Sequence, residues 1–207
     1  MSTRILHFTH QSNLPSIVEH GLLSDTRAQG TVAGVEVGKP EIKTYRRETE
    51  VRVGPGGVVS DYVPFYFAPR SPMMYVIHRG AVPGLQGGSD MLVYLTTTIE
   101  GLVAGGGELV VTDRNAVLAY ADQTDDLERL DDIVDWELMR AMFWNDTPEE
   151  PDRKERRMAE CLVHGSVPWT AIDGIVTKTA ERSAEVSSLL ADAPHRPPVA
   201  PTGDWYF

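Results

Sequence analysis

Apolar and polar side chains alternate in Ile5-Leu-His-Phe-Thr9, the pattern of a half-buried strand. A helix is predicted next, with Ser12 or Asn13 as its cap, Pro15 in its first turn and Gly21 at its end. Over residues 26–57 the periodicity fades. Six glycines and two prolines fall there, and only 42–52 reads as helical. A connection this long is either disordered or functional. Residues 61–68 form an aromatic strand, 73–79 a helix, and 91–95 and 109–112 short apolar strands bounded by glycines. Helices are predicted over 116–121, 135–143 and 183–190, and strands over 160–163 and 172–177. The order is that of an α+β fold with short strands and long irregular connections, in one domain over residues 1–207.

Composition sharpens this picture in three ways. With a single cysteine, Cys161, no internal disulfide can form, and Cys161 itself reads as a buried inert thiol. No apolar run approaches the ~18 residues of a membrane span, so a cytoplasmic protein without a membrane partner is expected. The net charge of −11 argues against indiscriminate attraction to polyanions. The excess is uneven: residues 122–135 carry seven acids against Arg129, whereas Arg46, Arg47, Arg70, Arg79, Arg153, Lys154, Arg156 and Arg157 cluster elsewhere. A local basic groove is compatible with that distribution.

No dinucleotide or phosphate-loop glycine fingerprint is present, and the six histidines show no metal-site spacing, so no metal is expected. Four places carry candidate chemistry. In the first strand, alternation sends His7 and Thr9 to one face, either as satisfied core groups or as donors to a ligand amide or ribose. Arg46 and Arg47 lie in the irregular stretch, either solvated or as a diphosphate clamp. Phe65 and Phe67 share one face of their strand and Tyr66 takes the other, so one face offers a stacking wall. Glu160 opens an apolar strand behind an arginine-rich loop, which suits stabilisation of a developing cation beside an anionic ligand.

These segments together resemble the DarT family of DNA ADP-ribosyltransferases. The resemblance runs through nearly the whole chain. It rests on Ile5-Leu-His-Phe-Thr-His-x-x-Asn-Leu14, on the stretch from Gly57-Val-Val-Ser through Phe65-Tyr-Phe-Ala to Met74-Tyr75, on Thr112-Asp-Arg-Asn115, on Arg157-Met-Ala-Glu-Cys-Leu-Val163 and on Asp204-Trp-Tyr-Phe207. It implies a split-sheet ADP-ribosyltransferase fold with peripheral helices. The implied enzyme is a pentosyltransferase of the toxin–antitoxin kind, moving ADP-ribose from NAD onto a base of single-stranded DNA, thymidine in the best-matching branch. A macrodomain antitoxin of the DarG type is the implied partner.

By the same resemblance Glu160 is the catalytic glutamate, and Arg46, with Arg47 as the alternative, is the catalytic arginine. Cofactor contacts fall to His7, Phe8, Thr9, Ser16, Leu23, Arg46, Tyr66, Phe67, Ser71 and Tyr75. Residues 30–48 would cover NAD and residues 115–160 would read the substrate. Asn115, Trp144, Arg153, Arg156 and Arg157 are then the candidates for DNA contact. Asn115 departs from the family pattern, since some members carry His there and Asn cannot shuttle a proton. The competing readings are transfer to RNA or to guanosine, and a non-catalytic NAD-binding module. A protein-arginine target is disfavoured, because Met158 stands where arginine-modifying relatives carry Glu or Gln.

Overall fold

The computed structural model describes residues 2–207 except 33, 83, 84 and 86. Its elements in chain order are β1 (Arg4–His10), α1 (Leu14–His20), β2 (Leu22–Leu23), α2 (Asp25–Ala28), α3 (Pro40–Glu48), β3 (Tyr62–Tyr66) and α4 (Pro72–His78). β4 (Leu92–Thr98), α5 (Ile99–Ala104), β5 (Leu109–Thr112), β6 (Gln123–Thr124), α6 (Leu130–Ile133), α7 (Trp136–Arg140) and α8 (Arg153–Arg156) follow. The chain closes with β7 (Glu160–His164), β8 (Ser166–Val167), β9 (Gly174–Thr177), α9 (Ala180–Leu189) and β10 (Val199–Pro201). Eight strands form one sheet in the order β10-β9-β4-β1-β3-β7-β5-β6, antiparallel except where β10 joins β9. This is the α+β, split-sheet architecture expected.

The split has a cause in the sequence. β1 pairs with β4 over its whole length, yet meets β3 only at Leu6↔Tyr66. The neighbouring β3 residue on that side is Pro64, which has no N–H to give to a ladder. Its carbonyl is taken instead by the His7 ring, with Nδ1 at 2.8 Å. On its other edge β3 pairs with β7 without interruption, from Tyr62↔His164 to Tyr66↔Glu160. Two half-sheets therefore meet at one residue pair and part beyond it.

Alternation fills both faces. Ile5, Val63, Phe65, Val93, Leu95, Cys161 and Val163 build the larger core. On the opposite face Leu6, Phe8, Tyr66, Leu92 and Tyr94 form a second cluster, and Val59, Tyr62, Val110 and Leu162 a third. Cys161 is fully buried and its thiol is pushed up to about 12 by burial, in keeping with an inert core residue. Among the described residues no helix is long and apolar enough to cross a membrane.

Three of the departures from the sequence pattern have an identifiable cause. The helix predicted over 135–143 stops at Arg140. Its continuation would need the carbonyls of Leu138 and Met139, but these accept from the Arg157 guanidinium at 2.5 and 2.9 Å. No helix forms over 116–121, where the Asn115 Oδ1 accepts from the Val117 N–H and turns the chain. β10 was not foreseen, because its segment is proline-rich; prolines are tolerated there since the strand lies at the sheet edge.

Candidate active site

A cavity of about 410 Å³ opens where the half-sheets part, within the ordinary range for small-molecule sites. His7, Phe8, Thr9, Ser16, Leu23, Arg46, Tyr66, Asn115 and Glu160 all line it. Residues more than 100 positions apart thus converge, because Glu160 opens β7 directly opposite the end of β3.

Glu160 is fully buried. Its backbone N–H donates to the Thr112 hydroxyl on β5 at 3.2 Å, which fixes the mouth of the strand. Burial raises its carboxyl above the usual range, and the Arg46 guanidinium opposes that shift. Arg46 reaches both carboxylate oxygens through Nη1, at 3.1 and 3.0 Å. Its Nη2 is buried without any partner. A guanidinium in the cavity wall with one nitrogen uncommitted suits an additional anionic oxygen, such as that of a diphosphate, after a small turn of the side chain.

Arg46 rather than Arg47 faces the carboxylate, and α3 explains why. Lys43 and Arg47 lie one turn apart, and both grip Asp25: Lys43 Nζ at 2.9 Å, Arg47 Nε at 2.9 Å and Nη2 at 2.8 Å. Burial alone would raise the Asp25 carboxyl, but these two cations hold it below its ordinary value. The rotation of α3 is thereby set. Farther along the loop, the Asn13 amide accepts from the Val35 N–H at 2.7 Å and donates to the Val35 carbonyl at 3.0 Å. It also donates to the Thr9 hydroxyl at 3.0 Å, so the loop is tied to β1. Asn13 does this in place of the helix capping expected of it. Asn13 belongs to the first motif without a site role assigned to it there, and Asp25 carries no sequence signal for the site.

His7 and Tyr66 are electrostatically quiet. Burial lowers the imidazole to about 4, and the Arg46 charge pushes the same way against the Pro64 bond. The ring is neutral, and since the Pro64 carbonyl can only accept, Nδ1 carries the proton and Nε2 is left as an acceptor. Burial, with the Glu160 charge beside it, raises the Tyr66 phenol above its usual value, so it stays protonated. Phe8 stacks on Tyr66 with centroids 5.7 Å apart, and together they make an aromatic wall.

Seven expected site residues lie elsewhere. Phe67 points into the large core, edge-on to Trp136 at 5.5 Å, because alternation turns it away from Tyr66. Ser71 is buried as the cap of α4, accepting from the Met74 N–H at 3.2 Å. Tyr75 is exposed on the next turn, against Phe207. Trp144 is buried among Tyr75 and Phe207, so its ring is already covered. Arg156 pairs with Asp135, Glu150 and Asp152, and Arg153 with Glu150; the basic loop is thus neutralised by its own acids. Arg157 is buried, with its guanidinium donating to the carbonyls of Leu138, Met139, Ala141 and Pro69. That makes it a structural clamp, and its burial lowers it to about 10. Among the described residues no cluster of His, Cys, Asp and Glu could hold a metal ion.

Comparison with known proteins bears on the family and the fold. A family model described as ssDNA thymidine ADP-ribosyltransferase, DarT, matches residues 6–207. A protein of Thermus sp. (strain 2.9), described as a DNA ADP-ribosyl transferase, is 37% identical over 207 residues, covering 99% of this chain and 96% of its own. The solved Thermus sp. 2.9 DarT in complex with ADP-ribosylated ssDNA superposes with a TM-score of 0.91 at 36% identity, covering 99% of this chain and 96% of that one. Its complex with NAD+ gives a TM-score of 0.86 over 99% and 98% of the two chains, again at 36% identity. A DNA ADP-ribosyl transferase–DNA ADP-ribosyl glycohydrolase fusion protein of Thermosipho africanus is 24% identical over 205 residues, 98% of this chain and 49% of its own.

Proposed function

The chain belongs to the DarT family, and from that premise we propose that it cleaves NAD and transfers the ADP-ribose to a base of single-stranded DNA, thymidine before any other. One observation carries the reading: in the wall of the cavity a buried carboxylate is held by a single nitrogen of Arg46, whose second nitrogen is buried without a partner. A non-catalytic NAD-binding module would have no need of a fully buried Glu160, whose desolvation is costly.

In this reading Glu160 accepts a hydrogen bond from a ribose hydroxyl and stabilises the positive charge that grows as the ribose–nicotinamide bond breaks. The electron pair of that bond leaves with nicotinamide. The thymine ring nitrogen forms the new bond to the same ribose carbon and releases its proton. Arg46 positions the diphosphate and does not act as a base, since a guanidinium keeps its proton. Phe8 and Tyr66 hold the nicotinamide ring, and His7 Nε2 and the Thr9 hydroxyl take up its amide or a ribose hydroxyl. Residues 30–48, tied down through Asn13 and Asp25, cover the cofactor, and residues 115–160 border the incoming strand. NAD and DNA as substrates agree with a cytoplasmic protein.

The biological role proposed is that of a toxin opposed by a macrodomain hydrolase of the DarG type, supported by the fusion of transferase to glycohydrolase in the Thermosipho relative. A hydrolase of that type should strip the modification from the product. The function itself is tested by incubating the protein with NAD and defined DNA and RNA oligonucleotides, then mapping any adduct by mass spectrometry. One ADP-ribose on thymidine of single-stranded DNA is expected. Labelling confined to RNA, to guanosine or to protein would replace this reading by one of its competitors.

A further inference from the structure

Arg70 is the only non-glycine among the described residues with a positive φ, at 54°. That conformation is unfavourable for an arginine and persists only where the surroundings impose it. They do so through the C-terminal segment. The Arg70 N–H donates to the Tyr94 hydroxyl at 3.3 Å, and that hydroxyl donates to the Trp205 carbonyl at 3.4 Å. Tyr206 in turn sets its hydroxyl 3.1 and 2.9 Å from the carbonyls of Leu92 and Val176. The guanidinium then lies over the Phe207 ring, 4.5 Å from its centroid. The Asp204-Trp-Tyr-Phe207 motif, which the cofactor cavity does not use, is the platform that aims Arg70.

What the platform aims is a cation in want of an anion. Among the described residues Arg70 forms no salt bridge, and its Nε is buried without a partner. The next cation, Arg157, gives both terminal nitrogens to carbonyls and brings a second positive charge close to that of Arg70. The loop arginines Arg153 and Arg156, by contrast, are already paired with carboxylates. The place of Arg70 in the fold is telling. Arg70 follows Tyr66 by four residues, and Tyr66 is the register partner of Glu160, so the cation stands at the active-site end of the β3–β7 ladder but outside the cavity wall. Beside it Tyr75, 43% exposed, meets Phe207 at 5.1 Å and leaves an aromatic face open. A fixed cation next to an exposed aromatic is the combination that binds a phosphodiester and its base in a single strand.

We propose that Arg70, braced on Phe207, is a phosphate-binding residue for the single-stranded nucleic acid, distinct from the groups that hold NAD. The inference rests on the reading of the chain as a single-strand-modifying transferase. It is tested with the full chain, without NAD, by anisotropy of a fluorescent thymidine-containing single-stranded oligonucleotide between about 50 and 200 mM KCl. Each phosphate contact to a single strand contributes about −0.7 to the slope of log affinity against log salt. Arg70→Gly, which relieves the left-handed backbone, should therefore flatten the slope by roughly 0.7, and Arg70→Lys should restore it. If the glycine variant unfolds by circular dichroism, Arg70→Gln takes its place with the same expectation. NAD affinity, measured by calorimetry, separates the alternatives. A wild-type slope in Arg70→Gly or Arg70→Gln overturns the assignment, as does a loss of NAD affinity in place of DNA affinity. Wild-type protein that binds no single strand overturns the underlying reading as well.

Discussion

Arg46 spends one nitrogen on both oxygens of Glu160, at 3.1 and 3.0 Å, and keeps the other buried and idle. An ion pair made only for stability would be expected to engage the guanidinium as a fork, with two parallel bonds. The single-nitrogen contact instead fixes Glu160 and leaves the second nitrogen uncommitted.

Arg46→Ala should weaken NAD binding and turnover together, by tenfold or more in turnover as an order of magnitude, because it removes a charge-assisted donor from a buried site. Arg47→Ala should cost less, since that side chain is 45% exposed and bonded to Asp25. Calorimetric NAD affinity and single-turnover rates for both variants decide this. The reverse ranking would transfer the catalytic role to Arg47.

Asp25 is expected to act through α3 and not through contact with the reacting atoms. Asp25→Ala releases Arg47 and leaves Lys43 with Glu36 alone, so residues 30–48 should be cut faster by protease without NAD and protected again when NAD is added. Turnover should fall by about tenfold through mispositioning of Arg46. Cleavage and rate equal to wild type would show that α3 holds its place without this anchor.

The reaction should have an acid limb above the ordinary glutamate range. Glu160 must be ionised to stabilise a cation, burial raises its carboxyl, and Arg46 only partly opposes that. As pH falls, the rate is lost while Glu160 takes up a proton; His7, held near 4, titrates too low to be the cause. Single-turnover rates across pH measure the limb. A rate still flat down to the ordinary glutamate value, about 4.3, would contradict a raised carboxyl.

Arg157→Ala should cost stability first. It leaves the carbonyls of Leu138, Met139, Ala141 and Pro69 without their shared donor, for a loss of roughly 2–4 kcal/mol. Denaturant unfolding reads that loss. An unchanged midpoint with weaker DNA binding would return Arg157 to the substrate.

Much of the site was legible because strands alternate. His7, Thr9 and Tyr66 were placed on their faces by period two, and Glu160 at the mouth of an apolar strand was conspicuous. Nothing local could reveal which loop cations were free. Arg153, Arg156 and Arg157 look alike in sequence, yet Arg153 and Arg156 are neutralised by Glu150, Asp135 and Asp152, while Arg157 turns inward to carbonyls up to 88 positions away. The 135–143 helix was overestimated for the same reason, since a side chain from a distant segment claims the carbonyls its last turn needed. The anchoring roles of Asn13, read as a helix cap, and of Asp25 are not legible in sequence, because their partners, Val35, Lys43 and Arg47, lie in the stretch with the weakest periodicity.

The most direct test of the catalytic role of Glu160 is the single-turnover rate of ADP-ribose transfer to a thymidine-containing single strand by Glu160→Gln, with NAD affinity measured on the same preparation. The variant keeps the shape of the side chain and removes the charge that opposes the growing cation. Loss of the rate by roughly 100-fold or more, with NAD affinity within a few-fold of wild type, is the predicted result. A variant that keeps more than about a tenth of the wild-type rate would contradict it.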